Sequence, residues 1–283
     1  PAVIGSAGVQ IAMFADTIIG SLLPEGGISS IYYADRLYQL PIGVIGIAAG
    51  TVLLPEMSRR FSSGDHSAAF HAQNRTMALT IALSAPFFVA FTLLPDFIMR
   101  GVFLRGAFSE EAARAAAHVL AAYGSGLFAI VLIRSAVASF QSRGDTKTPM
   151  FISLAAVAFN IVLKLALYAP LGAAGLALAT AAGAWVNFGL LVALALRAGA
   201  MKFDAMLGKT VLATLGASAL LALVAIFGQD YATAMTANLP FAKEAALFVL
   251  GAAGAAIYAL ALIAGLRLAG VSLKGLRRPQ AQA

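Results

Sequence analysis

The sequence predicts an all-α polytopic membrane protein with eight transmembrane helices, and three observations carry that prediction. Of 283 residues, 61% are hydrophobic and only 11% charged, where soluble domains average about 25% charged. The apolar residues gather in eight blocks, each near the roughly 20 residues a helix needs to cross the hydrocarbon core. Lysines and arginines concentrate in alternate connections between those blocks, the pattern of a positive-inside topology. A water-soluble enzyme is excluded. The chain has no cysteine, which excludes disulfides, thiolate metal sites and cysteine nucleophiles. Its net charge of +7 reads as loop bias rather than a nucleic-acid surface.

The blocks fall at 2–22, 31–54, 76–95, 116–139, 150–168, 172–196, 209–228 and 245–266. All are expected to be helices, because hydrocarbon cannot satisfy an open backbone. The first lacks the basic leader of a signal peptide and is interrupted by Asp16, so it reads as a span. One set of connections, with the tail, holds Arg59, Arg60, Arg75, Arg143, Lys147, Arg197, Lys202, Lys209, Arg267, Lys274, Arg277 and Arg278. The alternate set holds only Arg100, Arg105, Arg114 and Lys243. The richer side is expected to be cytoplasmic, with both chain ends inside and 24–30 outside.

Small residues recur every fourth position at Gly175, Ala179 and Gly183, and again at Gly251, Ala255 and Ala259. Such stripes let helices approach closely. Residues 55–75 are polar enough for a cytoplasmic loop with a short surface helix. The longest outer connection is 96–114, where Ser109 before Glu110 and Glu111 marks a helix start. Gly144 and Asp145 form a turn, with Thr148 as helix cap and Pro149 at the first helical position.

Ionisable residues inside spans are costly and face a cavity or a partner. Arg36 opens the second span beside Asp35. A planar guanidinium binds phosphate oxygens bidentately and keeps its charge; the alternative is an arginine that snorkels to the interface or pairs with Asp35. Asp16 and Lys164 lie at similar depth in the first and fifth spans, which run in the same direction. Asn160 is one turn before Lys164, and Thr180 of the antiparallel sixth span falls near that level. A buried Asp needs a counter-charge, and Lys164 supplies one; the alternative is a proton or cation coupling site. Arg134 reads as snorkelling to the cytoplasmic interface. His66 and His71 are five apart, which does not put two imidazoles on one helical face, and His118 is isolated. No nucleophile–base pair, Walker loop or dinucleotide fingerprint is present, and no cofactor is expected.

Two stretches carry a family resemblance. The first is Tyr32-Tyr33-Ala34-Asp35-Arg36-Leu37-Tyr38-Gln39-Leu40-Pro41-Ile42-Gly43-Val44, continuing to Thr51-Val52-Leu53-Leu54-Pro55 and Ser58-Arg59. The second is Gly144-Asp145-Thr146-Lys147-Thr148-Pro149. With the span spacing, they resemble the C-terminal part of the MurJ (MviN) family of lipid II flippases, within the multidrug/oligosaccharidyl-lipid/polysaccharide exporter superfamily. Members have two six-helix lobes followed by two extra helices. The resemblance therefore implies a second six-helix lobe over 1–200, a two-helix lipid-groove extension over 201–268 and a basic cytoplasmic tail over 269–283. The chain begins with Pro and is expected to be part of a longer product, its first lobe lying elsewhere.

The resemblance implies transport rather than catalysis. The substrate it implies is lipid II, an undecaprenyl diphosphate bearing a disaccharide-pentapeptide, carried across the bacterial cytoplasmic (inner) membrane by alternating access. Arg36, with Asp35, falls at the family's cationic cavity between lobes. Asp16, Asn160 and Thr180 match a sodium site, driven by a cation or the membrane potential. The chain departs from that pattern at Lys164, because an ammonium repels sodium and would stand in its place as a fixed counter-charge. Other implied partners are membrane lipids and the first lobe. Competing readings are a flippase for another polyprenyl-linked glycan, a related exporter, and a polyprenyl-phosphate-dependent glycosyltransferase. The last would need clustered carboxylates, and the outer connections offer only Asp96, Glu110 and Glu111.

Overall fold

The computed structural model describes residues 14–15, 17–106 and 108–271, apart from the side chains of residues 47 and 48. Asp16, most of the expected first span and most of the basic tail lie outside the described residues. Among the described residues, the elements are α1 (Gly27–Pro41), a π-helical turn (Ile42–Gly46), α2 (Ile47–Ser62), α3 (His66–Leu93), α4 (Pro95–Phe103), α5 (Glu110–Gly124), α6 (Leu127–Gln141), α7 (Lys147–Arg197), α8 (Ala205–Thr236) and α9 (Ala242–Leu268), with no strand.

Six stretches are long and apolar enough to cross a membrane: Gly27–Ser62, His66–Leu93, Glu110–Gln141, Lys147–Arg197, Ala205–Thr236 and Ala242–Leu268. The fourth hides two spans. Straight, its 51 residues would run more than twice the thickness of a bilayer core. Gly172, at φ 55 and ψ −136, reverses the chain in a conformation open to glycine. The limbs 147–171 and 173–197 then run antiparallel, as the sequence expected. Asn160 Nδ2 donates across to the Ala179 carbonyl at 3.1 Å, and a methyl group on Gly175 would stand 2.3 Å from the Leu167 oxygen. The Gly175–Ala179–Gly183 stripe is therefore the seam of this hairpin. The described residues thus hold seven of the eight expected spans, and the remaining one, 2–22, lies mostly outside them.

The second stripe does something else. Gly251, Ala255 and Ala259 line an open groove, while the neighbouring face of α9, with Leu250, Gly254 and Tyr258, is the one buried. The expectation of a helix-packing stripe there is not met among the described residues: no described helix packs on it.

Two further expectations are corrected. Residues 55–75 are not a loop. The helix of the second span runs on to Ser62, and α3 starts at His66 after a short turn, with Asp65 Oδ1 accepting from the Ala68 amide at 3.0 Å as its cap. The polar residues of this stretch find partners within the bundle. Glu56 is 5% exposed; its Oε1 meets Arg60 and its Oε2 meets Arg75, each at 3.0 Å. At the second site, Asp145, not Thr148, caps α7: its Oδ1 accepts from the amides of Lys147 and Thr148 at 3.1 and 3.0 Å. Hydrogen bonds from Thr148, first from its side chain and then from its backbone, hold the Asp145 carboxyl below the usual range. The charged cap is thus kept at neutral pH and lost only as pH falls through that lowered value.

The expected fourth span is broken between α5 and α6. Ser109 starts α5 as expected, accepting from the Ala112 amide at 3.1 Å. At the break, Trp185 Nε1 donates to the Ser125 carbonyl at 2.9 Å, and Gly126 lies so close to Ala181 that a Cβ would stand 2.6 Å from its Cα. An interrupted helix is tolerated at membrane depth where protein covers it.

Around these elements, α3 packs on α2, α5, α6 and α8, while α7 packs on α5 and α6, and α1 on α5. The last two helices pair with each other and reach the rest through α3 and α4.

Breaking a buried ion pair by removing one partner costs about 3 kcal/mol or more. Arg75→Ala is accordingly expected to lower the detergent-solubilised protein's thermal midpoint clearly, measured at equal expression. An unchanged midpoint would show the Glu56 network to be dispensable.

Candidate functional site

Arg36 sits on the exposed side of α1. The local sequence explains its pose. Tyr32 lies one turn earlier, so the guanidinium folds back over that ring at 4.7 Å from its centroid, and Nη2 donates to Tyr32 Oη at 3.0 Å. Neighbouring Tyr33 meets the Tyr32 ring edge-on at 5.8 Å and packs on Phe103 and Phe108, with centroids 5.0 and 4.7 Å away. This fixes the rotation of α1.

The expected alternative of an Asp35–Arg36 pair is not what forms. Asp35 Oδ2 accepts a hydrogen bond from Gln39, and among the described residues Arg36 makes no ion pair. Its remaining N–H donors stay available on a face that also carries Tyr32 and Leu40, 54% and 62% exposed. Immediately beyond lies the π-helical turn, a distortion that frequently marks functional sites.

Lys164 is 5% exposed and borders a second feature, a cavity of about 280 Å³ shared with Thr17, Gly20, Ile28, Ile31, Tyr123 and Leu176. Asn160 and Thr180 are not part of its lining. Asn160 bonds across the α7 hairpin, as above, and Thr180 Oγ1 donates back to the Leu176 carbonyl at 3.0 Å. Of the residues expected to form an ion-coupling set, the structure places Lys164 beside a small, largely apolar cavity, commits Asn160 and Thr180 to backbone carbonyls, and leaves Asp16 outside the described residues. Among those residues, no group of three or more His, Asp or Glu side chains could hold a metal.

Arg134, exposed overall, lies against Gly46 and Gly50, where added Cβ atoms would stand 3.7 Å from its Nε and 3.2 Å from its Cδ.

The third feature is an apolar groove of about 530 Å³ between α3, α8 and α9. Its walls include Phe87, Val224, Leu247, Gly251, Ala255 and Leu262.

Sequence reasoning missed two polar arrangements. One is the Glu56–Arg60–Arg75 network, which continues into a polar pocket beside His71; His71 Nδ1 lies 3.0 Å from Asp204 Oδ2 and ties α3 to the start of α8. The other is a hydrogen bond from Tyr258 to α3. Glu56 and Arg60 are one turn apart and could have been paired from the sequence; Arg75, Asp204 and Tyr258 lie too far from their partners in sequence for the contacts to be read there.

Interrupted helices, a small cavity beside the buried Lys164 and an apolar groove describe a multi-pass membrane helix bundle. Solved structures share that fold. A MATE-family multidrug transporter of the MOP superfamily in an outward-facing conformation superposes with TM-score 0.62 at 16% identity, covering 98% of this chain and 64% of that one. A lipid II flippase MurJ in an inward closed conformation superposes at 0.74 and 22% identity, covering 93% and 52%.

The family model for the lipid II flippase MurJ matches residues 1–242, and the chain belongs to the MurJ family. Curated relatives include probable lipid II flippases MurJ of Rhizobium meliloti, 44% identical over 193 residues (68% of this chain, 36% of that protein), and of Vibrio cholerae, 35% identical over 191 residues (68% and 36%). The chain thus spans about a third of the length of the curated relatives it matches.

Proposed function

We propose that the chain is the second lobe (1–200) and two-helix extension (201–268) of a lipid II flippase, with a basic cytoplasmic tail (269–283). In this reading it sits in the bacterial cytoplasmic membrane with its C-terminus inside, and works with a first lobe that these residues do not include. Arg36 carries the reading. A diphosphate held away from water needs preorganised positive charge; the guanidinium is permanently charged and forks onto two phosphate oxygens. Tyr32 holds it in place, and Gln39 occupies the nearest carboxylate, Asp35, on its other side. Both residues lie on the exposed side of α1, which the first lobe would cover to form a cavity. As the lobes rock, the headgroup would pass with this charge while the polyprenyl tail stays in apolar surroundings, supported by the groove on α8 and α9. Peptidoglycan precursor supply follows from that substrate.

Lys164 has a separate role in the same reading. It is the fixed counter-charge to Asp16, holding the first and fifth spans together where other members would use a cation. The burial of Lys164 beside Thr17 supports this, since Thr17 adjoins Asp16 in the sequence. A second reading, transport of another polyprenyl-linked glycan, is favoured only by the shared superfamily fold.

In bacteria depleted of their own flippase, the complete gene is expected to restore lipid II at the outer leaflet, and its Arg36→Ala version, equally expressed, is not. Failure of the native gene moves the assignment to another lipid-linked glycan; rescue by both leaves Arg36 an interfacial anchor. For Lys164→Ala, a lost counter-charge predicts destabilisation of about 3 kcal/mol in denaturant titrations of the solubilised protein. Unaltered stability would refute the Asp16 pairing.

A further inference from the structure

Pro86 stands inside α3. Its nitrogen carries no hydrogen, so the carbonyl oxygen of Ala82, four residues earlier, loses its helical donor. In a span that oxygen cannot turn to water, and a neighbouring helix must satisfy it. Tyr258 does so. Its Oη donates to the Ala82 oxygen at 2.6 Å, across 176 residues of sequence, with Tyr258 only 5% and Ala82 7% exposed.

The bond lies at a sensitive place. Ala82 and Pro86 belong to the six-helix lobe and Tyr258 to the extension, and all three line the apolar groove. α9 packs chiefly on α8 and makes few other contacts with α3. A proline-interrupted turn is also where a helix bends most readily. The hydrogen bond described between α9 and α3 is therefore made at the softest point of α3.

We propose that Tyr258 is a positioning residue: by clasping the carbonyl that Pro86 frees, it sets the spacing between α9 and α3 and with it the width of the groove. The bend of α3 and the stance of the extension then change together. The consequence for lipid transport rests on the proposed function, but the conformational claim does not.

The cysteine-free sequence lets two introduced cysteines carry spin labels, at Leu93 and Phe248, which are 41% and 76% exposed and outside the groove lining. In lipid nanodiscs, Tyr258→Phe is expected to broaden the label-to-label distance distribution and raise amide exchange over 82–86 by about tenfold. Pro86→Ala restores the helical N–H at position 86. In that background, adding Tyr258→Phe is expected to change neither measurement. The proposal is overturned if Tyr258→Phe acts equally in both backgrounds, or has no effect where Pro86 is present. A merely structural tyrosine gives the first of those results, because its packing does not depend on Pro86.

Discussion

Hydrocarbon offers no hydrogen-bond partner, so wherever a helix of this protein departs from regularity another part of the protein must supply one. That constraint organises the bundle. The carbonyl left open by Pro86 takes the Tyr258 hydroxyl, and Trp185 serves the Ser125 carbonyl at the break between α5 and α6. Asn74 Nδ2 reaches the Lys202 carbonyl in the connection before α8 at 2.6 Å. Each of these bonds joins segments far apart in the chain. Local irregularity and tertiary connection are thus the same set of contacts, and apolar packing fills the space between them.

Charge follows a parallel rule. At the basic end, Glu56 is buried but shared between two arginines, and Arg75 ties α2 to α3 through it. At the opposite end, Arg105 and Glu244 face each other across the connections at 3.8 Å. Arg36 differs from these. It is steadied by an aromatic ring and a hydroxyl, neither of which neutralises it. The groove on α8 and α9 has almost no polar lining.

The spans were legible in the sequence because they depend on composition over long windows. Ser109 was legible because capping is local. The α7 hairpin seam was readable from Gly175, Ala179 and Gly183, since close approach leaves a mark at every fourth residue. The same mark at Gly251, Ala255 and Ala259 misled, because small residues also line a groove and the sequence does not say what stands opposite. Residues 55–75 looked like a loop because Glu56, Arg60 and Arg75 neutralise one another only in three dimensions. Asp145 took the capping role from Thr148 because a carboxylate at that offset reaches two amides. Arg36 was legible through its motif. Its pose on Tyr32 follows the one-turn spacing; the diversion of Asp35 to Gln39, also one turn away, was there to read and was overlooked.

The central claim is that the Arg36 face of α1 meets the diphosphate headgroup. It is tested most directly by placing a photocrosslinking residue at Tyr32 in the complete membrane protein and irradiating with labelled lipid II. The account predicts a covalent adduct at Tyr32 that excess unlabelled lipid II competes away, with none from the same residue at Phe248 on the exposed side of α9. Equal labelling at both positions, or none at Tyr32, would contradict it.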